Sequence, residues 1–178
     1  MPLKALVSAL LLLFVTAVPA QQLSSRYHLS AEDDVLPHAV ALPSAVLEKL
    51  SQEELVRGRL QNTTDEDTDP GAVKPSLASR FSAVKLRPVS ATEDLYIVMA
   101  IGPLRGANVT EFWAIRHNRK TSTAEVLWDS PQHDVGLRYR PHVPYPDLRV
   151  SKMSAVHIWK ATFRYRNGKY VLIHQDDE

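Results

Sequence analysis

Histidines and carboxylates are the residues of this chain whose types could bind a metal ion or transfer protons, and seven of its 178 residues are histidines. No two histidines show the His-x-x-x-His spacing that places two ligands on one helix face. One cluster stands out in the sequence, His133-Asp134, with Asp129 before it and His142 after it. Its surroundings are typical of a polar turn between strands, so the sequence predicts no metal site and no cofactor.

Residues for covalent or acid–base catalysis do not form a pattern that identifies an enzyme. The chain has no cysteine and no Gly-x-Ser-x-Gly turn, which excludes thiol catalysis and gives no support to a serine hydrolase. Glu111 precedes Phe112 and Trp113, and burial among rings would raise the pKa of its carboxyl. Strand alternation places Glu111 and Phe112 on opposite faces, however, so the sequence predicts an ordinary surface glutamate and no catalytic residue.

Residues 133–150 are rich in the side chains that dominate protein interfaces. The segment contains three of the twelve prolines together with tyrosines and arginines. Prolines lower the entropic cost of ordering a loop, and exposed Tyr and Arg are common hot-spot residues. The candidate contacts are Tyr139, Arg140, His142 and Tyr145. The same composition also fits a rigid loop that covers a sheet edge.

Arg105 is a further candidate because it lies in a turn with Gly102, Pro103 and Gly106. Free N–H groups of a glycine-rich turn can bind an anion beside an arginine. The spacing matches neither the phosphate-binding loop nor the dinucleotide fingerprint, so the pattern favours a tight connection between two strands.

The stretch FRYRNGKYVLIH, residues 163–174, predicts a β-hairpin because Asn167-Gly168 fits a type I′ turn. A two-residue loop fixes the register, which pairs Tyr165 with Tyr170 and Ala161 with His174.

This register separates the two kinds of side chain on the hairpin. The rings share one face with Ala161 and Leu172, and the basic residues, including Arg164 and Arg166, lie on the other. Single-stranded nucleic acid needs rings and cations on one surface, so the sequence predicts no nucleic-acid partner. Arg164 and Arg166 remain candidate contacts for another ligand.

The remaining sequence predicts an α+β fold. Helix-start signals at Ser44 and Ser51, the second with Glu54 as its capping-box partner, indicate two short helices. A two-residue period then predicts strands at residues 81–88, 94–101, 110–117, 121–128, 149–153, 155–166 and 169–174. We expect an antiparallel meander or half-open barrel of about six to seven strands, with the apolar residues 95–101 as a central strand covered on one side by the helices.

The chain begins with the features of an export signal. Lys4 precedes an apolar stretch that ends at Pro19 and Ala20. This stretch is shorter than a membrane span, which favours a cleaved signal peptide, residues 1–20, over an uncleaved anchor. We expect a helical segment at residues 21–60, an acidic linker at 61–79 and a β-rich domain at 80–178. The sequence thus predicts a secreted or periplasmic protein without a membrane span after cleavage.

Several stretches resemble secreted bacterial β-rich domains of unknown function. They are LPSAVLEKL, FSAVKLRP, LYIVMAIGPLRGANVTEFWAIRH and FRYRNGKYVLI, which together cover most of the chain after the signal peptide. The resemblance implies export and a β-rich fold, and it implies no catalytic residue.

The sequence favours an exported, non-enzymatic binding or interaction module whose partner is a protein or a component of the cell envelope. The alternative is a secreted hydrolase or carbohydrate-active protein, with its site between the loops at residues 102–108 and 133–146. A deep pocket there that brings together two carboxylates, or a histidine and a carboxylate, would favour the alternative, and a flat or convex surface would favour binding.

Overall fold

A computed structural model describes residues 26–62, 76–106 and 109–177. In these ranges the chain forms two helices, α1 (Ser44–Gln52) and α2 (Glu54–Asn62), and nine strands: β1 (Arg26–Ser30), β2 (Phe81–Lys85), β3 (Glu93–Ala100), β4 (Thr110–Asn118), β5 (Thr123–Gln132), β6 (Asp134–Arg138), β7 (Asp147–Met153), β8 (Ile158–Arg166) and β9 (Lys169–Asp177). The predicted signal peptide and most of the predicted linker lie outside the described residues.

The strands form two antiparallel sheets rather than one. The five-stranded sheet has the order β1-β6-β7-β8-β9, and the four-stranded sheet has the order β2-β3-β4-β5. Only His133 separates β5 from β6, so the chain passes directly from one sheet to the other. Two short helices and antiparallel strands were predicted correctly. A single meander or half-open barrel of six to seven strands is wrong, because the described ranges contain nine strands divided between two sheets, neither of which closes.

The central strand β3 is buried on both faces, as predicted. Leu95, Ile97 and Met99 belong to the core between the two sheets. Tyr96 and Val98 alternate with them and belong to a second core beneath the helices. A strand that is apolar on both faces is typical of such a position.

The two helices cover the outer face of the four-stranded sheet. Val46 and Leu50 of α1 and Val56 of α2 are fully buried there. The predicted cap at Ser51 is wrong, because Ser51 lies inside α1 and its Oγ donates to the carbonyl of Glu48 at 2.7 Å. A serine bonded back to its own helix cannot cap the next one. The break falls instead at Glu53.

The β8–β9 hairpin has the predicted turn, since Asn167 and Gly168 have φ angles of 49° and 92°. Tyr165 pairs with Tyr170 as predicted. The pairing of Ala161 with His174 is wrong, because an irregularity next to Phe163 leaves Ile173 without a register partner.

Beyond that irregularity, Thr162 pairs with His174 and Ala161 with Gln175. The rings of the hairpin pack on the core, but Leu172 remains 49% exposed.

Strands β1 and β6 were not predicted. In β6 only Val135 and Leu137 are buried, separated by Gly136, which is a weak strand signal. No helix in the described part of the chain is long and apolar enough to span a membrane.

Candidate functional site

The outer face of the five-stranded sheet carries a concave depression of about 460 Å³, which we call the outer groove. Leu137, Val150 and Ala161 lie in the core between the sheets. Alternation therefore directs their neighbours along β6, β7 and β8 away from the core and into the groove. Two rows of residues line the groove. Each row runs across the strands and consists of residues that are register partners on neighbouring strands.

The first row crosses all five strands and we call it the arginine row. Its members are register partners in succession: His28, Gly136, Arg149, Thr162 and His174. Arg149 is exposed at its centre, flanked by glycine on one side and by threonine on the other. Small neighbours leave room beside its guanidinium group.

The second row consists, in the same order of strands, of Ser30, Asp134, Ser151, Lys160 and Asp176. All but Ser30 line the groove together with the arginine row. The Ser151 hydroxyl donates to Asp134 Oδ2 at 3.1 Å.

Each carboxylate of the second row lies beside a histidine of the arginine row. His28 Nε2 is 3.5 Å from Asp134 Oδ1, and His174 Nε2 is 2.8 Å from Asp176 Oδ2. The negative charges are thus placed toward the two edges of the sheet. Among the described residues, Arg149 forms no ion pair, so its charge faces solvent in the middle of the groove.

The buried carboxylate of Asp147 lies at one end of the same face, where it forms ion pairs with two arginines. Arg164 donates to it twice, from Nε at 3.0 Å and from Nη2 at 2.8 Å, and Arg140 Nε lies 3.2 Å away. Burial alone would raise the pKa of Asp147, but the bond from Arg164 and the nearby Arg140 and Arg138 hold this pKa below its ordinary value. Two predicted binding residues, Arg140 and Arg164, are therefore engaged within the protein.

The other predicted contacts do not form one exposed surface. Tyr145 was expected to be exposed, but it is buried and stacks on Tyr165 with ring centroids 3.7 Å apart. The Arg87 guanidinium lies over the Tyr139 ring at 5.0 Å. His142 and Arg166 are exposed, His142 in a left-handed turn with φ of 58°.

A second cavity, which we call the rim pocket, lies next to Asp134 and has a volume of about 370 Å³. Its lining includes Glu32, Arg105 and His133. His133 is held on both sides, with Nδ1 3.1 Å from Asp134 Oδ2 and Nε2 3.4 Å from Glu32 Oε1. The predicted contact Arg105 also pairs with Asp34 at 3.4 Å.

The pKa of Asp134 is lowered although its carboxyl group is partly buried. Burial would raise this pKa, but hydrogen bonds from His133, Ser30 and Ser151 and the charge of His28 outweigh burial. The Asp134 carboxylate is therefore ionised, and it lies between the outer groove and the rim pocket. No group of three or more potential ligand side chains in the described ranges could hold a metal ion.

Glu111 is not the surface residue that alternation suggested. It is only 8% exposed, on the face of β4 that also carries Trp113. Burial and then the nearby Asp129 raise the pKa of Glu111 to about 7, although Lys152 and Arg59 oppose the shift. The helices cover the face of β4 that carries Glu111 and Trp113, and sequence alternation alone could not show that cover.

The outer groove was missed because two of its five strands were not predicted. The alternation of the apolar Val135 and Leu137 with Asp134, Gly136 and Arg138 was the available signal. Comparison of the chain with protein-family models, with curated proteins and with solved structures found no match. The resemblance to secreted bacterial domains therefore stays a prediction.

Proposed function

We propose that the protein is an exported, non-enzymatic binding module whose outer groove holds a ligand bearing phosphate or carboxylate groups. The observation that carries the proposal is the arginine row, in which Arg149 projects between Gly136 and Thr162 without an ion-pair partner among the described residues. Export is inferred from the first twenty residues.

The donors of the groove suit an anion. A guanidinium group presents N–H donors in a planar fork that matches carboxylate and phosphate oxygens. The Thr162 hydroxyl is a neighbouring donor, and Lys160 lies in the adjacent row. A ligand at the centre of the groove would therefore face an arginine, a hydroxyl and a lysine, with Asp176 beside Lys160.

The arrangement of the histidines argues against a reaction in the groove that uses both of them. His28 and His174 lie on the two edge strands of the five-stranded sheet. Four inter-strand spacings of about 4.8 Å separate them by about 19 Å, which is too far for both to act on one bond.

Calorimetric titration with inorganic pyrophosphate, and separately with a short oligogalacturonate, tests the proposal and distinguishes phosphate from carboxylate ligands. We expect one of the probes to bind and Arg149→Gln to weaken its affinity about tenfold. Arg57→Gln removes one exposed charge from α2 and is the matched control. Absence of binding by both probes, or equal weakening by both variants, would contradict a dedicated groove.

The rim pocket supports a second candidate function, hydrolysis by a water molecule that displaces the exposed Glu32 from His133 Nε2 and is activated there. Asp134 is placed to orient the imidazole, and Arg105 could stabilise a developing negative charge. The location agrees with the loops suggested for a hydrolase site. Assays with para-nitrophenyl acetate and para-nitrophenyl phosphate test it: activity that His133→Gln abolishes and Arg149→Gln preserves would favour this second function.

A further inference from the structure

Strand β9 is a long sheet edge that remains open. It has nine residues and pairs with β8, and no described residue pairs with its other side. Seven of the nine residues are exposed, all except Tyr170 and Ile173. An unpaired edge presents a row of N–H and C=O groups that can accept another strand.

The other sheet edges differ from β9. Beside β2, Val40 donates its N–H to the carbonyl of Ala83 at 2.8 Å, and Leu36 donates to Ser82 Oγ at 2.8 Å. Helix α1 and strand β9 lie against β5. Strand β1 has only five residues. Lys169 and Tyr170 line a cavity with β5, so the long open edge in the described structure is β9 from Val171 onward.

The charges along β9 are separated by sign. Lys169 begins the strand, and Asp176 and Asp177 end it. Between them, Val171 and Leu172 are apolar and are 39% and 49% exposed. If two copies of this strand run antiparallel, the basic end of each lies against the acidic end of the other, and opposite charges across a strand pair are stabilising.

We infer that two copies of the protein associate through β9 to form a continuous ten-stranded antiparallel sheet. A two-fold axis makes each favourable charge contact occur twice, and with Lys169 opposite Asp176 of the second copy it places Leu172 opposite Ile173 of that copy. The main-chain groups of the edge supply the hydrogen bonds, as in other cases of strand addition. Because the axis is perpendicular to the sheet, both outer grooves face the same side.

Sedimentation equilibrium of the mature chain tests this association. We expect a concentration-dependent dimer. Lys169 and Asp176 project from the same face of the sheet, because Lys169 pairs with Arg166 and Asp176 with Lys160. Lys169→Glu and Asp176→Lys should each raise the dissociation constant about tenfold, because each variant brings like charges together at two symmetry-related contacts. The double variant Lys169→Glu/Asp176→Lys restores opposite charges and should recover the dimer.

Lys120→Glu makes the same charge change in an exposed turn and is the matched control. A monomer at all accessible concentrations would overturn the inference. A dimer that neither single variant weakens, or that the double variant fails to recover, would overturn pairing through β9 and indicate another surface. Thermal melting of each variant shows that the monomer fold is preserved.

Discussion

The outer faces of the two sheets are used differently. The four-stranded sheet is covered by α1 and α2, which bury Val46, Leu50 and Val56 against it. No described helix covers the five-stranded sheet, whose outer face carries charged and hydroxyl side chains instead. The covered face contributes packing energy, and the open face leaves its polar groups available to a ligand.

Carboxylates on the two faces show the same contrast. Burial, followed by the charge of Asp129, raises the pKa of Glu111 on the covered face. Arg164 and Arg140 reverse the effect of burial at Asp147 on the open face and lower its pKa. An identical functional group is thus destabilised as an anion on one face and stabilised as an anion on the other.

The largest expected effect comes from the covered face. Leu50→Ala removes a fully buried side chain and should lower the free energy of unfolding by about 3 kcal/mol. Denaturant titration measures this change. Thr162→Ala on the open face is the control, with an expected change within about 0.5 kcal/mol. Similar losses in the two variants would remove the distinction between the faces.

On the open face, Asp147→Asn should lower the free energy of unfolding by about 2 kcal/mol at neutral pH, because it leaves Arg164 without its bidentate partner. The folded-state pKa of Asp147 lies below its ordinary value of 3.8, so its contribution is present above that pH and is lost as the pH falls through the lowered pKa. Urea titrations at pH 7 and at pH 3 measure the difference. A deficit as large at pH 3 as at pH 7 would argue against the ion pair.

Glu111→Gln should act in the opposite direction on the covered face. Since the pKa of Glu111 rises from 4.5 to about 7 on folding, wild-type stability decreases as the pH rises across this interval. The variant avoids that loss and should be more stable by about 1 to 2 kcal/mol at pH 8, with no gain near pH 4. Glu48→Gln, at an exposed position of α1, is the control. A pH-independent difference would refute the raised pKa.

The smallest expected effect on stability is that of Arg149→Gln, within about 0.5 kcal/mol, because the side chain is exposed and forms no ion pair with a described residue. Thermal unfolding without ligand measures it. A large loss would show that Arg149 supports the fold rather than awaiting a ligand.

Local signals in the sequence predicted the elements that depend on local physics. The Asn167-Gly168 turn, the buried strand β3 and the existence of two helices follow from turn chemistry and apolar patterning. The cap at Ser51 failed because its hydroxyl has a competing partner in α1.

The candidate site depended on non-local pairing, which sequence patterns do not specify. The arginine row joins residues from β1 to β9, and the register irregularity beside Phe163 decides that His174 aligns with Thr162. Tyr145 was predicted to be exposed because tyrosine is common at interfaces, but it stacks on Tyr165 and is buried. The same limitation concealed β6, whose strand character depends on its two neighbours.

The most direct test of the central claim is to map backbone amide NMR shifts during titration with the probe, pyrophosphate or oligogalacturonate, that binds in calorimetry. We expect saturable shifts on β6, β7 and β8 around Gly136, Arg149 and Thr162, with α1 and α2 unchanged. Saturable shifts confined to the helices or to the rim pocket would contradict an anion-binding outer groove, as would the absence of any saturable shift.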